Sequence, residues 1–149
     1  MRVAFDYSYH IRYTLLMGYE IEFYRTESGR SPVEEFIQSL QEKQIAKIFR
    51  DIRLLQDNGA DLHYPYMDFI KGDRYAGLME LRTKHAGNAF RTFYFVVVRD
   101  ETTKAEKAVL LHAFQKKTDK TPKKELETAL ARMKDYTSRR HATNTSVYL

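Results

Sequence analysis

Six side chains on three stretches have the types needed for acid–base work on a phosphate: Glu80 with Arg82, Arg91, and His112 with Lys116 and Lys117. Glu80 and Arg82 are two residues apart in an apolar run, so as strand residues they share one face. Arg91 stands in a run that is otherwise aromatic and β-branched. An arginine in such surroundings needs an anionic partner, and a phosphate is a suitable one. Lys116 and Lys117 follow closely on the apolar stretch Ala108 to Phe114, whose one polar member is His112. Thr121 and Pro122 then read as an N-cap and a first helical residue. The two lysines therefore stand between a rigid strand end and a helix N-terminus, with backbone N–H donors close by. Such a mount suits an anion. Structural roles compete for the same residues: Arg82 as the ion-pair partner of Glu80, and His112 as a half-buried histidine with satisfied nitrogens.

Alternation and helical spacing supply the elements that carry these groups. Tyr19 to Arg25 alternates with period two and predicts a first strand with Ile21 and Phe23 inward and Glu20, Glu22 and Tyr24 outward. Ser31-Pro32-Val33-Glu34 reads as a complete capping box with proline at the first helical position, so a helix starts there with Phe36, Ile37 and Leu40 inward. A second helix runs from about Gln44, with Ile45, Ile48, Phe49, Ile52 and Leu55 on its apolar stripe, to Asn58-Gly59. Met67 to Lys71 predicts a short strand, Tyr75 to Thr83 a stronger one, and Ala89 to Arg99 a long one, the last two joined through His85-Ala-Gly-Asn88. The strand carrying His112 completes the meander. Thr121 to about Arg139 is a last helix with Leu126, Ala129, Leu130, Met133 and Tyr136 on one side. The expected fold is α+β, with helices segregated to one face of the sheet and the other face open. Tyr75 and Tyr94 read as core or rim residues, although a tyrosine on that open face, Tyr94 for instance, could stack on a base.

Composition narrows the partners. The chain of 149 residues is expected to form one domain over 19–140, with 1–18 as an extension contributing an extra edge strand and 141–149 as a frayed tail. Met17 is an alternative start. There is no cysteine, which excludes disulfides and thiolate chemistry and suits a reducing cytoplasm. Neither a signal peptide nor a membrane-length apolar segment is read. No metal or phosphate-loop signature is read either, so no cofactor is expected. Between Gln115 and Arg140, nine cations face four acids, so this quarter carries the whole net charge of +5. Lys120, Lys123 and Lys124 belong to that field, which suits RNA or another polyanion.

Four stretches in combination, Ser31-Pro-Val-Glu-Glu-Phe36, Gly77-Leu-Met-Glu-Leu-Arg82, Arg91-Thr-Phe-Tyr-Phe95 and Leu110-Leu-His-Ala-Phe-Gln-Lys-Lys-Thr-Asp-Lys-Thr-Pro122, resemble successive motifs of the HigB-like, phage-derived branch of the RelE/ParE toxin superfamily. The resemblance spans roughly Tyr19 to Tyr136. It implies a RelE-like fold: a strand and helical hairpin on an antiparallel sheet, then a C-terminal helix. It also implies a type II toxin cleaving mRNA on the ribosome without a metal, and a cognate antitoxin that usually carries a helix-turn-helix. By motif position Arg82, Arg91, Lys116 and Lys117 correspond to basic residues implicated in RNA cleavage. The C-terminal catalytic tyrosine of RelE-type toxins has no counterpart, since Pro122-Lys-Lys-Glu125 stands in its place. The general base is therefore open among Lys116, Lys117, His112 and Glu80. Two other readings share the fold: a ParE-like inhibitor of DNA gyrase, and an antitoxin-binding protein whose catalytic set has decayed.

Overall fold

A computed structural model describes residues 18–102 and 104–147. The 1–18 extension, apart from Gly18, lies outside the described residues. Strand β1 (Tyr19–Phe23) is followed by helices α1 (Pro32–Gln38) and α2 (Glu42–Asn58), then by β2 (Met67–Phe69), β3 (Met79–His85), β4 (Asn88–Asp100) and β5 (Ala105–Lys116), and finally by α3 (Lys123–Val147). The five strands form one sheet in the order β1-β5-β4-β3-β2, with β1 parallel to β5 and the other neighbours antiparallel. This is an α+β, RelE-like arrangement.

The alternation in β4 and β5 divides their side chains between two cores. Phe90, Tyr94, Ala108, Leu110 and Ala113 pack with Val33, Ile37, Ile48, Ile52 and Leu55 of α1 and α2. Phe93, Phe95, Val109, Leu111 and Phe114 pack with Ala129, Leu126, Met133 and Tyr136 of α3. Helices therefore cover both faces, and the expectation of helices on one face only is corrected. Two strands that are apolar on both faces can be satisfied only by layers on both sides. Tyr24, expected to point outward, is 5 % exposed in the core under α3. Burial, then its hydrogen bond to Asp135, raises its phenol pKa.

Several boundaries move. Helix α1 starts at Pro32 as read, yet Ser31 makes no side-chain cap and its buried hydroxyl has no partner among the described residues. The capping box forms instead at Gln41 and Gln44, opening α2 two residues before the expected start. Phe49 is exposed, while Ile45, Ile48, Ile52 and Leu55 face the core. Strand β2 stops at Phe69, and β3 begins at Met79 because Asp73–Tyr75 forms a short 3-10 turn. Ala86 and Gly87 close the β3–β4 hairpin with φ of 49° and 81°, the two left-handed positions of a primed turn. Helix α3 starts at Lys123, after Thr121 and Pro122, and continues to Val147, through most of the expected tail.

Candidate functional site

The pairing register brings the chemistry-bearing residues of three strands into rows. Glu80 pairs with Phe93, which pairs with His112; Arg82 pairs with Arg91, which pairs with Phe114; Lys84 pairs with Ala89, which pairs with Lys116. All belong to the sheet face that carries α3, since residues two apart on a strand share a face and Phe93 and Phe114 lie in that core. Neighbouring strands are about 4.8 Å apart, so the rows form a small grid with cations at its end. A bulge sets its alignment: pairing passes from Phe93–His112 to Tyr94–Leu110, leaving Leu111 as the extra residue and turning both Leu111 and His112 toward α3.

The centre of the grid is a carboxylate between two guanidiniums. Arg82 donates from Nη1 to Glu80 Oε2 at 3.1 Å, and Arg91 Nε lies 3.5 Å from Glu80 Oε1. The three side chains retain only 18 %, 10 % and 5 % of their exposure for Arg82, Glu80 and Arg91 respectively. One carboxylate cannot satisfy two such forks. The Nε donors of Arg82 and Arg91 are buried without a hydrogen-bond partner among the described residues, and Arg91 Nη1 donates only to its neighbour's carbonyl, Phe90 O, at 3.2 Å. Burial, and then the nearby Arg82 charge, push Arg91 below its ordinary pKa, with Glu80 acting in the opposite direction. The cluster carries net positive charge and spare donors, which is the arrangement an oxyanion completes.

His112 is built into a different device. Arg132 Nη1 donates to Leu111 O at 2.9 Å and sits 3.1 Å from His112 Nδ1. Arginine can only donate, so Nδ1 is the acceptor and Nε2 carries the proton it gives to Glu125. Desolvation lowers the His112 pKa, opposed by Glu125 and reinforced by Arg132. Both nitrogens are thus occupied, and the histidine anchors the first turn of α3 to β5. A second anchor lies across the sheet, where Arg74 and Tyr75 both donate to Glu127.

The remaining sequence candidates divide. Lys116 ends the third row, and Lys117, Lys120, Lys123 and Lys124 are exposed along the connection into α3. Tyr94 does not belong with them: it is 1 % exposed against α1 and α2, on the face opposite the arginines, so a base cannot stack on it. Its buried phenol has a raised pKa, from desolvation and then Tyr19. Residues not singled out from sequence complete the surroundings. Lys84 continues the Glu80 and Arg82 alternation. Tyr64 lies under Arg82, with the guanidinium carbon 5.0 Å from the ring centroid. A cleft of about 200 Å³ next to Arg82 is lined by Lys47, Asp51, Tyr64, Pro65, Tyr66 and Lys84.

Among the described residues no cluster of histidine and carboxylate side chains could hold a metal ion, and no helix is long and apolar enough to cross a membrane. Neither a curated protein nor a solved structure is matched by the chain. The family of the phage derived protein Gp49-like (DUF891) is matched over residues 35–134, a span that includes β2 to β5 and the first turns of α3. The chain belongs to this family, which is related to RelE-like toxins.

Proposed function

We propose that this Gp49-like chain is the toxin of a type II toxin–antitoxin pair and a metal-independent endoribonuclease acting on ribosome-bound mRNA in the cytoplasm. The observation that carries the reading is the Arg82–Glu80–Arg91 cluster, two half-satisfied guanidiniums around one carboxylate with Lys84 and Lys116 in the next row. In the resting protein Glu80 occupies the anion seat. A scissile phosphate takes over the guanidinium donors, and Arg82 and Arg91 then neutralise charge as the phosphorane develops. The displaced Glu80 carboxylate accepts the proton of the ribose 2′-OH, which attacks the adjacent phosphorus. The 5′-oxygen leaves with a proton from Lys116, giving a 2′,3′-cyclic phosphate and a 5′-hydroxyl.

His112 is a positioning residue in this scheme, because its nitrogens already serve Arg132 and Glu125. It holds α3, and with it Lys123 and Lys124, beside the strand end. The exposed lysines from Lys117 to Lys124 supply non-specific attraction for RNA. The cognate antitoxin is a partner whose acidic surface covers the same cations.

The test is induction of the chain without its antitoxin, followed by primer extension on a reporter mRNA and topology analysis of plasmid from the same cells. Codon-phased cuts that disappear with Arg82→Ala, in a variant that melts like wild type, support the nuclease. Intact mRNA with altered plasmid supercoiling overturns it in favour of gyrase inhibition.

A further inference from the structure

The cleft beside Arg82 has features that a phosphate site alone does not need. Strand β2 pairs with β3 only from Met67 to Phe69, and the loop before it is tied to the sheet by Arg82 N donating to Tyr66 O at 2.8 Å. That bond fixes Tyr64 and Tyr66 at the sheet edge, where they are 62 % and 42 % exposed. Large aromatic rings presented to water, with one already stacked under an arginine, form a platform for a flat ring. Asp51 of α2 lines the same cleft although it is only 2 % exposed. Its Oδ1 has no hydrogen-bond partner among the described residues, and the nearest ammonium, Lys47 Nζ, stands 3.9 Å away. A buried acceptor left unsatisfied is costly and is rare in a folded chain unless something else satisfies it.

We infer that this cleft is a nucleobase-reading subsite for the RNA whose phosphate lies on Arg82 and Arg91, and that the base it prefers is guanine. The inference rests on the nuclease reading of the arginine cluster and names what is recognised next to it. The tyrosines stack on the base, which is sequence-tolerant, so the choice falls to Asp51. A carboxylate is acceptor-only when ionised. Guanine alone among the four bases presents two adjacent donors on its Watson–Crick edge, N1–H and N2–H. Adenine and cytosine place a ring nitrogen lone pair beside their amino group. Uracil flanks its single N–H with two carbonyls, and both arrangements set a lone pair against the second carboxylate oxygen. Lys47 and Lys84 on the cleft wall provide donors for guanine O6. Arg82 belongs to both sites, so reading the base and seating the phosphate are coupled through one side chain.

The experiment is fluorescence anisotropy of the intact chain with five fluorescein-labelled RNA pentamers, identical except for guanine, adenine, cytosine, uracil or an abasic sugar at the centre. Guanine is expected to bind tightest, roughly tenfold above uracil. Tyr64→Ala with Tyr66→Ala should bring all four bases to the abasic level, a loss of roughly tenfold or more for guanine. Asp51→Asn should flatten the base order while stacking persists. Because Asp51 is buried, its variant is read only with an unchanged melt, and the two exposed tyrosines test the site independently. If the abasic pentamer binds and the four bases add nothing, or if the guanine preference survives the double tyrosine variant, the inference fails alone. If no pentamer binds, abasic included, the phosphate reading fails and takes the subsite with it.

Discussion

Replacing Glu80 by glutamine removes the only carboxylate between two guanidiniums while keeping the shape of the side chain. Arg91 is left buried with a carbonyl as its remaining partner, and Arg82 keeps partial access to water and its stack on Tyr64. Removing one partner of a buried ion pair costs about 3–5 kcal/mol. Arg82 is only partly buried, so the lower end applies, about 3 kcal/mol. In a chain of this size each kcal/mol moves Tm by about 2–4 °C, so the melt should fall by roughly 6–12 °C. If Glu80 occupies an anion seat, the vacated seat should take inorganic phosphate. Phosphate at about 100 times its Kd would then return roughly 2.7 kcal/mol, most of the loss. The assay is thermal melting of wild type and Glu80→Gln in matched chloride and phosphate buffers of equal ionic strength. Wild type should respond little because its own carboxylate competes. A variant that melts with wild type, or one whose loss phosphate does not repair, would refute the idea that Glu80 holds the place of a substrate phosphate.

Other perturbations address the supports of the site. His112 has a folded pKa below its ordinary 6.5, so below about pH 6.5 the unfolded chain binds more protons than the folded one. Its contribution is therefore intact above that pH and is lost as pH falls toward the folded value; melts between pH 7.5 and 5.5 should decline, and His112→Gln should lessen the decline. Tyr94→Phe should leave RNA binding and cleavage unchanged, because the ring is 1 % exposed on the opposite face; a cleavage defect in a variant with normal stability would contradict that placement. Leu110 is fully buried at the centre of β5, and Leu110→Ala should cost about 3–4 kcal/mol in urea unfolding with an unchanged m-value.

The arginine cluster was legible because strand periodicity is local. Glu80 and Arg82 are two residues apart, and a short turn at Ala86-Gly87 fixes which residue of β4 lies opposite Arg82. The same periodicity would have added Lys84. For Tyr94 the core placement holds and base stacking does not, because alternation tells that two faces exist and not which helix covers each; in a strand apolar on both sides, either could be the open one. Ser31 shows another limit, since the residue types of a capping box were present and the hydroxyl was buried without forming it. The cleft was invisible for a different reason. Asp51 comes from a helix stripe, Tyr64 and Tyr66 from a loop, and Arg82 from a strand, and only tertiary packing brings them together. His112 lies between these cases: half-burial was readable, whereas the bulge at Leu111 and the pairing with Glu125 and Arg132 needed the register.

Attack of a 2′-oxygen on a phosphate held at Arg82 and Arg91 requires a ribose 2′-hydroxyl next to the cut. Its most direct measurement uses a short mRNA on programmed ribosomes with a single 2′-deoxy nucleotide immediately 5′ of the mapped cut. This message should stay intact while the all-ribose message is cut to fragments bearing a cyclic phosphate and a 5′-hydroxyl. Cleavage of the deoxy-substituted message at the same bond would contradict attack by the 2′-oxygen.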